Sequence, residues 1–340
     1  MVPGVIAERV AARYSRDMAM TLADLVSSPD NYLHSFEGDA AIFVPMDREA
    51  YRRSIFLDAR ISPAAEGAMQ VPVEMLLGAA GEGPQTGWIF HVAHCGSTLL
   101  ARALEELSGA LVLKEPAALR QLGFAPADAR LDLILSLLAR RYDHGLPNVI
   151  KANVPVNFLL PEIAARRPQD AAIALYWNLA DYLTAILRSD NHRQWLRGIT
   201  DHFGAQLGLA EGAEDAVRAA ALWRGQAERF LALAQTMPHT RTLDAALLFA
   251  EPGKAVRQAA LHLGLPVMEE DVAMVLSGPL FSTYSKRPDV AFDNGDRLER
   301  AAAVSRTIAG EIESAQAWIG ASGPETAHIE QQLAKLALIG

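Results

Sequence analysis

Residues 88–107 have the sequence WIFHVAHCGSTLLARALEEL. The apolar residues at the start of this stretch are typical of a buried parallel strand, and the leucine-rich second half is typical of a helix. The small and polar residues from His94 to Thr98 form the loop between them. Because the free N–H groups and the dipole at the start of a helix favour anions, this arrangement predicts a site for a phosphate or a sulfonate group.

Within this loop, Gly96 would let the backbone approach a ligand, and the hydroxyls of Ser97 and Thr98 would donate hydrogen bonds to it. The loop differs from the ATP-type motif G-x-x-x-x-G-K-[ST]. When Gly96 is aligned with the second glycine of that motif, His91 replaces the first glycine and Ser97 replaces the lysine. The sequence therefore disfavours a conventional Mg-ATP site.

Strand and helix patterns alternate along the chain after this loop. The predicted strands that follow the first one lie at 110–113, 148–150, 171–176 and 240–243. Helices are predicted between them, and most of the chain beyond residue 268 is predicted to be helical. Strands that alternate with helices indicate an α/β fold with a parallel sheet flanked by helices.

The chain before the loop has a different organisation. A helix is predicted over 5–26 and short strands at 41–44 and 55–57. The segment 81–87 is rich in glycine and proline, which is typical of a loop between units. We therefore predict three units: an N-terminal α/β addition over 1–85, a P-loop domain over 86–293 and a C-terminal helical cover over 294–340.

The composition restricts the classes of function. The chain has 340 residues, of which 51% are hydrophobic and 21% charged, and this is enough apolar material for a large core. Its formal net charge of −9 disfavours a protein that coats nucleic acid. No apolar run is long enough for a membrane span, and a single cysteine excludes an intrachain disulfide. The sequence predicts a soluble, cytoplasmic protein that has neither nucleic acid nor a membrane as a partner.

The loop resembles that of the P-loop sulfotransferases, in which a strand is followed by a (K/R)-S-G-(S/T)-T loop and a helix with bulky apolar residues. In that family the loop holds the 5′-phosphosulfate end of PAPS, the activated sulfate donor. The resemblance implies that Cys95, Gly96, Ser97 and Thr98 bind this end of the donor. His94 stands where the family has lysine or arginine, and we expect it to stabilise charge on the transferring oxygens.

Two later strand ends carry further motifs of the family. Lys114-Glu115-Pro116 resembles a segment in which a glutamate is the proposed base toward the acceptor hydroxyl. The resemblance implies this role for Glu115, since an alcohol has to lose its proton as it attacks sulfur. It also implies that Lys114 stabilises charge on the transferring group and that Lys151 contacts phosphate or sulfuryl oxygens.

The part of the family pattern that binds the 3′-phosphate of PAPS is changed in this chain. Residues 177–181 read WNLAD where the family has R-N-P-R-D, so both arginines are replaced, and the family serine falls at Ala185. Arg188 and Ser189 lie one helical turn later and are candidates to replace the missing groups. Residues 281–288 resemble a family segment that folds over the nucleotide, which makes Lys286 a candidate phosphate contact.

The resemblance implies a P-loop NTPase-like, sulfotransferase-like fold that transfers a sulfuryl group from PAPS to a hydroxyl or an amine of a small-molecule acceptor, without a metal. Two alternatives stay open. A phosphotransferase on the same fold would use ATP or GTP with Mg²⁺, and Thr98 would then be a metal ligand. A non-catalytic protein would bind a nucleotide without turnover. Asp58 and Arg60 form either a buried pair or part of an acceptor pocket, and the sequence indicates no oligomeric state.

Overall fold

The computed structural model describes residues 20–79, 81–284, 287–291, 293–323 and 325–339. Residues 1–19, which carry most of the helix predicted over 5–26, lie outside the described residues, as does Lys286. Among the described residues no helix is both long enough and apolar enough to cross a membrane.

The N-terminal part of the chain forms a small antiparallel sheet with three short helices. Its strands β1, β2 and β3 pair in that order. In chain order the elements are α1 Leu22–Ser27, β1 Asn31–Glu37, β2 Ala40–Pro45, α2 Arg48–Arg53, β3 Met69–Pro72 and α3 Val73–Leu77.

The strand predicted at 55–57 is wrong, because these residues run as a loop. In this loop, the backbone of Leu57 forms hydrogen bonds with residues before and after Glu115. The Leu57 N–H donates to the Lys114 carbonyl at 2.7 Å, and the Leu57 carbonyl accepts from the Ala117 N–H at 3.1 Å. The apolar pattern of this segment therefore reflects burial against the central domain, with Leu57 fully buried.

The central domain is built on a five-stranded parallel sheet with the order β5-β6-β4-β7-β8, which confirms the predicted α/β fold class. Every residue of β4, β5 and β6 is buried, as expected for strands covered by helices on both faces. The strands are β4 Gly87–His91, β5 Val112–Lys114, β6 Val149–Lys151, β7 Ala171–Tyr176 and β8 Thr240–Asp244.

Helices connect these strands and cover the sheet. Up to β8 they are α4 Ser97–Ser108, α5 Ala117–Gly123, α6 Ala129–Leu138, α7 Leu160–Arg166, α8 Leu179–Leu187, α9 Asp190–Phe203 and α10 Asp215–Thr236, with 3₁₀ turns at Val154–Leu159 and Ala205–Leu207. After β8 they are α11 Ala245–Ala250, α12 Pro252–His262, α13 Glu269–Ser277 and α14 Pro279–Ser282.

The C-terminal part consists of a short hairpin and three helices. The hairpin pairs β9 Thr283–Tyr284 with β10 Arg287–Ala291, and the helices are α15 Asn294–Thr307, α16 Ala309–Ser322 and α17 Thr326–Lys335. The sequence pattern predicts one long helix over 296–318, whereas the structure has two helices there, since the backbone of Ile308 leaves the helical region between them.

The end of the chain covers the exposed edge of β8. The N–H of Thr242 donates to the Leu336 carbonyl at 3.0 Å, and the N–H of Leu338 donates to the Thr242 carbonyl at 2.7 Å. The buried Thr242 hydroxyl donates to the Leu333 carbonyl at 2.6 Å. These bonds pair groups that an edge strand would otherwise leave open.

The strand order places the loop after β4 at the point where the chain changes direction across the sheet. The chain passes from β4 to β5 and back to β6 on one side, and then to β7 and β8 on the other. In open parallel sheets, ligands bind in the crevice outside the carboxyl ends of the strands at such a point.

Candidate functional site

The loop between β4 and α4 has a backbone that only particular residues adopt. His94 and Gly96 have φ angles of 61° and 84°, in the left-handed region. Gly96 precedes the first residue of α4, and no side chain caps the helix there. A Cβ at position 96 would lie 2.8 Å from the Cζ of Phe249, so the close approach of this ring also requires glycine.

The loop forms one wall of a cavity of about 790 Å³. All of the residues from His94 to Thr98 line it, and the predicted binding of a phosphate by this loop stays a prediction. The Thr98 side chain is buried, and among the described residues its Oγ1 has no hydrogen-bond partner. A buried hydroxyl is normally bonded, so this one is available to a ligand that enters the cavity.

Three arginines line the same cavity, together with one carboxylate, Asp181. Arg188, at the end of α8, was predicted, whereas Arg297 and Arg300 come from α15 and were not. The latter two are spaced by three residues and therefore lie on one face of α15. That spacing is visible in the sequence, but neither arginine follows a strand of the parallel sheet or lies in a segment that resembles a family motif.

Arg297 lies on the aromatic floor of the cavity. Its guanidinium carbon is 4.5 Å from the ring centre of Phe249 and 5.4 Å from that of Trp177, and these two rings are stacked on each other. Its Nε donates to the Asn294 side chain at 2.8 Å. Burial lowers the pKa of the Arg297 guanidinium. Flat rings beside several cations can bind a ligand that joins an aromatic base to phosphates.

The His94 side chain is held by aromatic neighbours. Its ring is stacked on that of His192, with 3.8 Å between the ring centres, and Trp195 packs edge-on against it. The Trp177 indole N–H donates to the His94 carbonyl at 3.1 Å. The loop is therefore held by α9 and by the residue that follows β7.

A second cluster lies at the carboxyl ends of β5 and β6. The Glu115 carboxylate accepts from the Lys151 ammonium, and its other oxygen accepts from the Asn153 amide at 3.1 Å. Lys151 is fully buried and Glu115 is partly exposed. Among the described residues, the Asn153 Oδ1 is buried without a hydrogen-bond partner. This cluster is next to the cavity in the sheet, because β6 lies between β5 and β4.

Backbone strain marks both clusters. In the described part of the chain, the non-glycine residues with positive φ are His94 at 61° and Glu115 at 59°. Glu115 directly follows the last residue of β5, and His94 lies three residues after the end of β4. Such conformations cost free energy and are enriched at functional sites. The two residues are also two of the three predicted as catalytic.

The N-terminal addition contributes side chains beside Glu115. Asp58 accepts from the Nε and a terminal nitrogen of Arg60, at 2.9 and 2.5 Å. The Arg60 guanidinium lies 3.9 Å from the ring centre of Phe56, and the Lys151 ammonium lies 5.4 Å from the same ring. Arg60 is largely exposed while Asp58 is mostly buried, so the two form an ion pair with one buried member, and a part in an acceptor pocket stays a prediction.

Two predicted site residues lie elsewhere. Lys114 is fully buried, and its ammonium donates to both oxygens of Glu105 at 2.8 Å and to the Tyr51 carbonyl at 2.9 Å. Burial lowers the pKa of Lys114 and raises that of Glu105. The expected role of Lys114 in stabilising charge on a ligand is therefore corrected to a structural one. Ser189 caps α9 through a bond from the His192 N–H at 3.5 Å and does not line the main cavity.

The structure thus brings together some of the predicted residues. The cavity combines His94, Cys95, Gly96, Ser97, Thr98 and Arg188. Glu115 and Lys151 form the neighbouring cluster. Within the described ranges, no group of three or more His, Cys, Asp or Glu side chains could hold a metal ion.

Two solved structures are similar to this chain. One is the sulfotransferase domain from the curacin biosynthetic pathway, with a TM-score of 0.42 and 14% identity, covering 75% of this chain and 99% of that domain. The other is a sulfotransferase from Alicyclobacillus acidocaldarius, with a TM-score of 0.35 and 16% identity, covering 68% of this chain and 95% of that one. Both are described as sulfotransferases. No protein-family model and no curated protein matches the chain.

Proposed function

We propose that this chain transfers a sulfuryl group from PAPS to a hydroxyl or an amine of a small-molecule acceptor. The observation that carries the proposal is the cavity at the end of β4. It joins the loop 94–98 and the unpartnered Thr98 hydroxyl to three arginines and two stacked aromatic rings. Its volume of about 790 Å³ is in the usual range for small-molecule sites.

The cavity fits a ligand with phosphates and an aromatic base. The backbone N–H groups at the start of α4, together with the Ser97 and Thr98 hydroxyls, would bind the phosphosulfate end. Arg188, Arg297 and Arg300 supply the positive charge that the family pattern places in the segment occupied here by WNLAD. Two of these arginines lie on α15, which is outside the family motif, and would replace the positive charge that the motif has lost.

In the proposed reaction, the acceptor oxygen or nitrogen attacks sulfur, and the bond between sulfur and the bridging oxygen of PAPS breaks. Adenosine 3′,5′-bisphosphate leaves with the electron pair of that bond, and Glu115 takes the proton of the acceptor. Lys151 and Asn153 hold the Glu115 carboxylate in place. The Phe56 ring lies 5.4 Å from the Lys151 ammonium, and the Arg60 guanidinium interacts electrostatically with Glu115, so the acceptor would bind beside these two side chains of the N-terminal addition.

A thermal-shift titration tests the donor. PAPS and adenosine 3′,5′-bisphosphate are compared with ATP–Mg²⁺, GTP–Mg²⁺ and adenosine, which lacks phosphates and is the control. A ligand at 100 times its Kd stabilises the fold by about 2.7 kcal/mol, or roughly 5–10 °C for a domain of this size. We expect this shift with the first two ligands. A shift with the triphosphates alone would replace sulfuryl transfer by phosphoryl transfer, and no shift with any ligand would contradict both.

A further inference from the structure

His192 connects two of the residues that line the cavity, although its own side chain is not part of the lining described above. Its ring is stacked on His94 with an angle of 20° between the ring planes. The Arg188 guanidinium lies against the same ring, with its Nε 3.3 Å from Nδ1 and a terminal nitrogen 3.5 Å from Nε2. One side chain of α9 thus contacts both the phosphate-binding loop and the end of α8.

Two groups compete for the Nδ1 of His192. The carbonyl oxygen of Ala185, which only accepts, lies 2.9 Å away, and the Nε–H of Arg188, which only donates, lies 3.3 Å away, so Nδ1 can serve one of them at a time. When Nδ1 donates to the shorter Ala185 contact, Nε2 is the nitrogen left to accept from Arg188. With either nitrogen as the acceptor the ring is neutral, because a protonated imidazole has no lone pair to accept a hydrogen bond.

An anion in the cavity changes this balance. Phosphate groups attract the Arg188 guanidinium, which releases the Nε2 of His192, and their negative charge favours an imidazolium. Histidine ordinarily titrates near pH 6.5, within the range in which such a change matters. Two stacked imidazolium rings would repel each other, so the pair formed by His94 and His192 would take up one proton rather than two.

Other charged groups face this region from each neighbouring element. Asp215 is bound to Arg193 and Arg197. Asp181, which itself lines the cavity, is bonded to Asn178 and acts electrostatically on Arg297. A bound phosphate would add further negative charge beside the pair. The charged groups of this region are Asp181 and Arg188 of α8, Asp190, Arg193 and Arg197 of α9, Asp215 of α10, and Arg297 and Arg300 of α15.

We propose that His192 is a positioning residue that orients His94 and Arg188 and couples the binding of a phosphate-bearing nucleotide to the uptake of one proton. This inference rests on the proposed donor site, because the nucleotide is taken to bind in that cavity. It predicts that affinity rises as the pH falls through the histidine range, by up to about tenfold per pH unit.

Isothermal titration calorimetry of the full chain with adenosine 3′,5′-bisphosphate tests this proposal. Titrations in buffers of different ionisation enthalpy, from about pH 6 to pH 8.5, measure the protons taken up. His192→Asn keeps a donor for the Ala185 carbonyl and an acceptor for Arg188 but cannot titrate. We expect this variant to bind with the affinity that the unmodified chain has at high pH, without proton uptake. His192→Ala should bind more weakly at every pH.

His202→Asn is the matched control, since His202 lies on the same helix but packs on Phe124 and Phe203. It should leave both affinity and proton uptake unchanged. Binding to the unmodified chain without proton uptake, or uptake that persists in His192→Asn, would overturn the inference and leave the donor site intact. Failure of the unmodified chain to bind would overturn the donor site and this inference with it. If His192→Asn does not fold, His192→Gln replaces it, and the proton count of the unmodified chain still decides the first of these outcomes.

Discussion

Gly96 is the residue at which the site tolerates least change. It combines a φ of 84° with a ring atom 2.8 Å from where a Cβ would be. Gly109, at the other end of α4, has a φ of 66° but open space around it. Gly96→Ala should therefore destabilise the fold by about 1–3 kcal/mol more than Gly109→Ala and also weaken binding of adenosine 3′,5′-bisphosphate. Urea unfolding and calorimetry measure the two effects, and equal losses in both variants would contradict this interpretation.

Glu115 is the residue on which the proposed chemistry depends. Glu115→Gln keeps the size of the side chain and an acceptor for Asn153 but removes the proton-accepting carboxylate. Turnover, measured as release of adenosine 3′,5′-bisphosphate from PAPS with an accepted phenol or amine, should fall by about 10²–10⁴-fold. Binding of adenosine 3′,5′-bisphosphate should stay nearly unchanged, as it should in the exposed control Glu66→Gln. A parallel loss of binding and turnover would argue against a role as base.

For single residues, the sequence predicted which ones end the strands but not which groups their side chains contact. Lys114 and Glu115 are adjacent and both charged, so either could have belonged to the site. The deciding partner is Glu105, a buried carboxylate on α4, and its distance from Lys114 depends on packing that a sequence does not show. For Ser189 a signal was present, because a serine followed by Asp-Asn-His is a typical start of a helix.

At the scale of elements, one set of ion pairs connects three helices. Asp215, the first residue of α10, is bound to Arg197 at 2.7 Å and to Arg193 at 3.3 Å on α9, and Arg193 also binds Glu311 on α16. The hydrogen bond from Arg197, with that from Arg193, lowers the pKa of Asp215. A carboxylate with a lowered pKa stabilises the fold above its unfolded pKa, near 3.9, and loses this effect as the pH falls further.

Asp215→Asn should therefore lower the Tm at pH 7 by roughly 2–4 °C. The difference from the unmodified chain should shrink as the pH falls below about 4 and disappear near about pH 2, where both carboxyl forms are neutral. Thermal unfolding followed by circular dichroism across this range measures the difference. A gap in Tm that stays constant from neutral to acidic pH would show that the ion pairs are not its cause.

Strong periodic patterns predicted the elements of the central domain well. The strand predicted at 171–176 is found there. The pattern of residues 213–236 also predicts a helix, which forms over Asp215–Thr236. The function of α15 could not be predicted in the same way. None of its side chains is buried, and without an apolar stripe its sequence does not indicate which face packs on the rest of the protein. The spacing of Arg297 and Arg300 shows only that these two side chains share a face.

At the scale of the whole molecule, the N-terminal sheet and the central domain share one hydrophobic core. Polar contacts also join them. Gln121 exchanges two hydrogen bonds with the backbone of Phe36, at 2.8 and 3.0 Å, and the Arg140 side chain donates to the carbonyls of Leu25 and Asn31. These contacts connect the predicted N-terminal addition to α5 and α6 as closely as the elements of one domain.

Because of this shared core, we expect the chain to unfold in a single cooperative step. Differential scanning calorimetry should give one transition, with equal calorimetric and van't Hoff enthalpies. Gln121→Ala should shift that transition as a whole to lower temperature. Two resolved transitions, or a shift confined to one of them, would mean that the N-terminal addition folds independently.

Trp177 gives the cavity its own optical reporter. Its indole is bonded to the loop through the His94 carbonyl and lies beneath the Arg297 cation. A ligand that moves Arg297 or the loop changes the electric field at this chromophore, so its fluorescence emission should respond to binding without any added label. The other four tryptophans of the chain also fluoresce, and Trp177→Phe would give their emission alone.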